Sequence, residues 1–153
     1  MYFCPVKIEE AIRQKKFASA KQKAIINIIY THHWLLEKQH QVFDDFDITH
    51  QQFNVLRILR GKYPEATSPG AVKEVMIDKN PDLTRLCDRL VNKALIKREF
   101  NSENRRQVVL KITQQGLNLL EEIEPVMQAA SKQIKLTEKD ATILSDLLDK
   151  LRG

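Results

Sequence analysis

The stretch DLTRLCDRLVNKALIKREFNSENRRQVVLKIT, Asp82 to Thr113, changes its hydrophobic period part-way along. Leu83, Leu86, Leu90 and Ala94 recur at the spacing of one helical stripe, which predicts a helix from Pro81 to about Ala94. From Ile96 the pattern becomes that of strands: Ile96 to Phe100, then Gln107 to Ile112 with Val108, Leu110 and Ile112 alternating. The polar residues between them, NSENRR from Asn101 to Arg106, form the loop of a hairpin. What the paired arginines of that loop do depends on the helix before it.

Upstream, Thr49 opens a helix with Gln52 as its capping-box partner and Phe53, Leu56, Ile58 and Leu59 as its apolar set. Gly61 and Pro64 close it. Ser68 and Pro69 read as N-cap and first helical residue of a short helix through Val72, Val75 and Met76, and Asn80 with Pro81 repeats that grammar. Toward the N-terminus, Lys7 to Asp44 reads as one long helix or two in tandem, with Ile25, Ile28, Ile29 and Leu36 among polar residues. Toward the C-terminus, Leu117, Leu120, Ile123 and Met127 resume helical spacing after Thr113, and Pro125 is expected to kink or split that helix. Thr137 and Asp140 make a capping-box-like start for a last helix carrying Ile143, Leu144, Leu147 and Leu148.

The chain of 153 residues fits a single domain, 1–153, that buries its own core. Its composition, 42% apolar and 29% charged, is that of a folded globular protein. Cys4 and Cys87 form no CxxC pair, so a disulfide framework or zinc knuckle is excluded and a reducing compartment is expected. No apolar run approaches a membrane span, and MYFCPVKIEE has no signal-peptide core, so a cytoplasmic location away from membranes follows as the expectation. With four glycines and no phosphate loop, GxSxG or HExxH, the chain is not expected to be an enzyme or to need a cofactor. Residues 48–113 carry 13 Lys and Arg against 7 Asp and Glu, so the whole positive excess of the +5 chain lies there. A basic middle between neutral ends points to a module that meets a polyanion.

Helix, turn, helix and hairpin is the order of a winged helix-turn-helix, a mainly α (α+β) fold whose second helix enters the DNA major groove. The helix from Pro81 must then offer an apolar stripe to the core, Leu83, Leu86, Cys87, Leu90 and Ala94, and a polar stripe to the groove, Asp82, Thr84, Arg85, Asp88, Arg89 and Asn92. Arg85 and Arg89 are four apart and share a face, where a guanidinium fork matches a guanine edge or a phosphate, and Thr84 is within reach of a base or backbone oxygen. Asp88 either pairs with Arg98 or Arg105, holding helix to wing, or remains an exposed helix carboxylate. Adjacent arginines alone are ordinary surface charge; behind such a helix, Arg105 and Arg106 are better read as minor-groove or phosphate contacts.

DLTRLCDRLVNKALIKREFNSENRRQVVLKITQQG resembles the recognition helix and wing of the MarR family of bacterial transcription regulators, and THQQFNVLRIL resembles that family's helix-opening segment. The resemblance spans Thr49 to Gly116. It implies a homodimer whose first and last helices, residues 7–47 and 114–153, intertwine and leave two winged modules, 48–113, to read a palindromic site. Arg85 matches the arginine of the family's TRL motif, and Arg105 and Arg106 match its paired wing arginines. Two residues depart from the family pattern. Asn104 replaces an aspartate that would orient a wing arginine through a charge-assisted bond. Ala94 replaces a glycine, which asks for a helix end without a left-handed residue.

The expected function is therefore that of a sequence-specific, homodimeric regulator of transcription that binds double-stranded DNA, acts as a repressor and is released by a small ligand. Ser68 and Lys73 are assigned to phosphates, Asp82, Thr84, Arg85, Arg89, Arg105 and Arg106 to DNA, and Asp88 and Asn104 to bracing the wing. The rival readings are a winged-helix adaptor for protein partners and a helical metal or redox sensor. His33, Glu37 and His40 share a helical face, but a second ExxH and further ligands are missing, so no metal site is assigned. Cys87 reads as a small buried hydrophobe, with Cys4 ahead of the first helix. Trp34 with Tyr30, Phe43 and Phe46 lines a ligand pocket or simply serves as core or dimer interface.

Overall fold

The computed structural model describes residues 6–100 and 107–153. They fall into two compact units, residues 1–47 and 48–153. In the first, the tandem alternative holds: α1 (Ile8–Ala11) is a single turn and α2 (Ala20–Asp44) a long helix. Arg13 adopts a left-handed φ of 54° between them, and the chain re-enters helix at Ser19, whose hydroxyl accepts the Gln22 N–H at 3.1 Å. The Lys23 ammonium pairs with the Glu9 carboxylate, tying α2 to α1 and holding the Glu9 carboxyl below its ordinary range. Of the 25 residues of α2 only Phe43 is buried, while Ile25, Ile29, Tyr30, Trp34 and Leu35 stand exposed.

The second unit contains α3 (His50–Arg60), α4 (Pro69–Val75), α5 (Leu83–Asn92), β1 (Ile96–Phe100), β2 (Val108–Ile112), α6 (Gln114–Lys132) and α7 (Glu138–Arg152). The capping box at Thr49 and Gln52 forms in both directions, with bonds of 3.2 and 2.9 Å. Val55, Leu56 and Leu59 carry the buried face of α3, whereas Phe53 and Ile58 are half-buried. Ser68 caps α4 through the Ala71 N–H, and Pro69 takes the first turn. Val75, expected in the apolar set of α4, is 61% exposed. Met76 leaves the helix with ψ 141° and fills the inward position instead.

The start and end of α5 also differ from expectation. Asp82, not Asn80, is the N-cap: its Oδ1 accepts the Arg85 N–H at 3.1 Å. At the other end Ala94 is not a helical core residue but an exposed, left-handed one with φ 56°. Leu95 N–H bonds Leu90 C=O at 3.0 Å and Ala94 N–H bonds Val91 C=O at 2.8 Å, which is a complete Schellman turn. Alanine thus holds a conformation that glycine holds without steric conflict, because two hydrogen bonds and the buried pair Leu90 and Leu95 fix the turn. The Thr113 hydroxyl lies within hydrogen-bond distance of both the Ala94 and Leu95 carbonyls, at 2.7 and 3.0 Å, and accepts the Gly116 N–H at 3.0 Å. A Cβ at Gly116 would lie 2.3 Å from the Leu95 carbonyl oxygen, so only glycine lets α6 start against that turn.

β1 and β2 pair antiparallel from Ile96 opposite Ile112 to Phe100 opposite Val108. Thr67 adds a short antiparallel bridge to Leu110, with bonds of 3.0 and 2.8 Å. Leu110, Ile112, Leu120 and Ile123 are buried where β2 and α6 pack on α3. Pro125 does not split α6: the helix runs through it, with Pro125 itself exposed. Thr137 caps α7 through the Asp140 N–H and gives its hydroxyl to the Asp140 carboxylate. α7 buries none of its residues, and Ile143, Leu144, Leu147 and Leu151 are all exposed.

Candidate nucleic-acid interface

α5 owes its orientation to one stripe. Leu83, Leu86, Cys87 and Leu90 are buried where α5 packs on α3 and β1, so Thr84, Arg85, Asp88, Arg89 and Asn92 face outward. Arg85 and Arg89 share an open cleft of about 220 Å³ with Asp82, Leu86 and Gln51. The site brings two guanidinium groups and a carboxylate onto one face, from the N-cap Asp82 to Arg89 in the last turn of the helix. Asp82 caps the helix through Oδ1 and lines the same cleft as the arginines. Gln51 belongs to α3 and has no counterpart among the sequence-derived candidates; nothing in a helical run of polar residues marks it out.

The hairpin is stitched to α5 by Arg98. Its guanidinium pairs with the Asp88 carboxylate and donates to the Thr84 carbonyl at 3.2 Å. The Thr84 backbone is thereby committed, and its side chain stays exposed. Burial pushes the Cys87 thiol up from its ordinary pKa, and the Arg98 guanidinium beside it opposes that shift. Cys87 is 2% exposed and protonated at neutral pH, as suits a core residue. Asn104, Arg105 and Arg106 lie outside the described residues, as does Cys4. On α4, Ser68 and Lys73 are exposed but do not line the α5 cleft; the Ser68 oxygen already caps its helix.

No family model matches the sequence. A MarR transcription factor from Planctomyces limnophilus is 32% identical, covers 89% of this chain and 95% of its own, and superposes with a TM-score of 0.66. The chain belongs to the MarR family of transcription factors. A mutant MarR from E. coli complexed with operator DNA is 28% identical over 88% of this chain and 100% of its own, TM-score 0.66. BpsR of Bordetella bronchiseptica, whose DNA binding is regulated by 6-hydroxynicotinic acid, is 22% identical over 90% of this chain and 97% of its own, TM-score 0.73, and adds to the fold assignment alone. The order of α3, α4, α5, β1 and β2 is that of the winged-helix fold of the MarR structures.

This MarR chain holds a second cleft, of about 330 Å³, between α3 and α6. Phe53, Leu120 and Met127 give it an apolar lining, and Arg57, Arg60 and Glu124 its charge, with Arg60 bonded to Glu124 at 3.2 Å. Trp34, in the other unit, is 43% exposed. Among the described residues no three His, Cys, Asp or Glu gather as metal ligands, and no helix is long and apolar enough to cross a membrane.

Proposed function

We propose that this MarR-family chain is a homodimeric, sequence-specific binder of double-stranded DNA that represses transcription and is released by a small ligand. The observation that carries the reading is the exposed stripe of α5, with Arg85 and Arg89 flanking one cleft on a helix tied to the hairpin through Arg98. Arg85 and Arg89 read bases in the major groove, and Thr84 reaches a base or backbone oxygen. Asp82 caps the helix and accepts from a cytosine amine. Asp88 braces the hairpin through Arg98, Arg105 and Arg106 contact the minor groove or phosphates with Asn104 orienting them, and Ser68 and Lys73 meet phosphates.

The exposed apolar residues of α2 and α7 support the dimer, since faces of that size are rarely left to water. The cleft between α3 and α6 suits an organic anion: an apolar body against Phe53, Leu120 and Met127, with the charge on Arg57. BpsR, whose DNA binding responds to 6-hydroxynicotinic acid, supports that class. Such a ligand favours a separation of the two α5 helices that no longer matches half-sites about one helical turn apart.

Fluorescence anisotropy with DNA from the chain's own upstream region tests the roles. Arg85→Ala should lower discrimination by about 1–3 kcal/mol. Joint Arg105→Ala and Arg106→Ala should weaken binding to all duplexes and flatten its salt dependence. Unchanged binding in both variants contradicts the assignment.

A further inference from the structure

Between α4 and α5 the chain has to turn, and the direction in which it leaves that turn is the direction of α5. Met76 and Pro81 are buried at its two ends. Ile77 between them is 64% exposed, so apolar packing does not hold the middle of the turn. Polar contacts to α3 hold it instead. The Ile77 N–H donates to Asn54 Oδ1 at 3.1 Å, from a side chain only 6% exposed. Gln51 Nε2 donates to Asp78 Oδ2, and Asp78 Oδ1 accepts the Asn80 N–H at 3.0 Å. Two residues later Asp82 caps α5. The same Gln51 borders the cleft of Arg85 and Arg89.

We propose that Gln51, Asn54 and Asp78 form a positioning clamp that sets the aim of α5, and so decides how well the chain tells one DNA sequence from another. The proposal rests on the DNA-binding reading above. The buried stripe of α5 keeps the helix on the core whether or not the clamp is closed. Aim, however, is a finer quantity than attachment. Hydrogen bonds to base edges fail when donors shift by a fraction of an ångström, whereas attraction between arginines and phosphates survives such a shift. Loss of the clamp therefore lowers discrimination more than it lowers general affinity.

The test exchanges the partners. Gln51→Glu sets two carboxylates against each other and opens the contact. Adding Asp78→Asn keeps the wild-type net charge and restores both bonds: the new amide donates to the new carboxylate, and its oxygen takes the Asn80 N–H. Affinities are measured for a duplex enriched from a random pool by the wild-type protein, and for a scrambled duplex of equal composition. Gln51→Glu should reduce the ratio of the two affinities by about tenfold, and the double variant should recover it to within about twofold. The salt slope on scrambled duplex should be the same for the single and the double variant, which place the same carboxylate beside the arginine cleft. The proposal is overturned if Gln51→Glu leaves the ratio unchanged, lowers both affinities in proportion, or is not rescued by Asp78→Asn. A wild-type protein that enriches no sequence overturns the DNA-binding reading itself, and the clamp's role in recognition with it.

Discussion

α5 and α7 are both amphipathic and have opposite fates. α5 buries four of its 10 residues, and α7 buries none of its 15. Periodicity says which face of a helix is apolar but not what covers it. For α5 the cover is α3 and β1 of the same chain, and the polar face left outside is the surface proposed to meet DNA. For α7 no described residue of its own unit buries Leu147 or Leu151, and the proposed dimer is what would cover that apolar face.

Truncation separates the two most sharply. Leu90→Ala empties a fully buried site and should destabilise the protein by about 2–5 kcal/mol in urea titration. Leu147→Ala should cost the dilute monomer under about 0.5 kcal/mol, while shifting the association seen in sedimentation toward monomer. Equal losses in the two variants would erase the distinction. Gly116→Ala comes next: its Cβ would meet the Leu95 carbonyl, and displacing α6 should cost about 1–3 kcal/mol, read from the thermal midpoint. Ala94→Gly, at the left-handed residue ending α5, should add about 1 kcal/mol by relieving backbone conflict. The smallest effect lies in the first unit. The Glu9 carboxyl is held down by Lys23, so its contribution is present above the ordinary carboxylate value of 4.5 and fades as pH falls through the lowered one. Glu9→Gln should therefore lower stability slightly at neutral pH, flatten the acid limb of the stability profile, and have no effect once the pH lies below the lowered value.

The features legible in the sequence are those that one residue type fixes locally. Thr49 with Gln52, Ser68 with Pro69 and Thr137 declare helix starts because their side chains take backbone N–H groups within their own turn. The strands of the hairpin followed from alternation, and its pairing register agrees. What stayed hidden depends on partners far along the chain. Ala94 turns left-handed because Leu95 is drawn back to Leu90 and Thr113 arrives to bond the carbonyls. Thr67 pairs with Leu110 across more than forty intervening residues, and no pattern at Thr67 announces a strand. At the candidate interface the arginines were legible from spacing and resemblance. Gln51 and Asn54 were not, since a polar residue on a helix looks the same whether it faces water or grips a turn.

The most direct test of the account is enrichment of bound sequences from a pool of random duplexes, followed by the stoichiometry of the complex. The account predicts two inverted half-sites with centres roughly 34 Å apart, bound by one dimer. Enrichment of no sequence, or a single unrepeated site bound by a monomer, would contradict it.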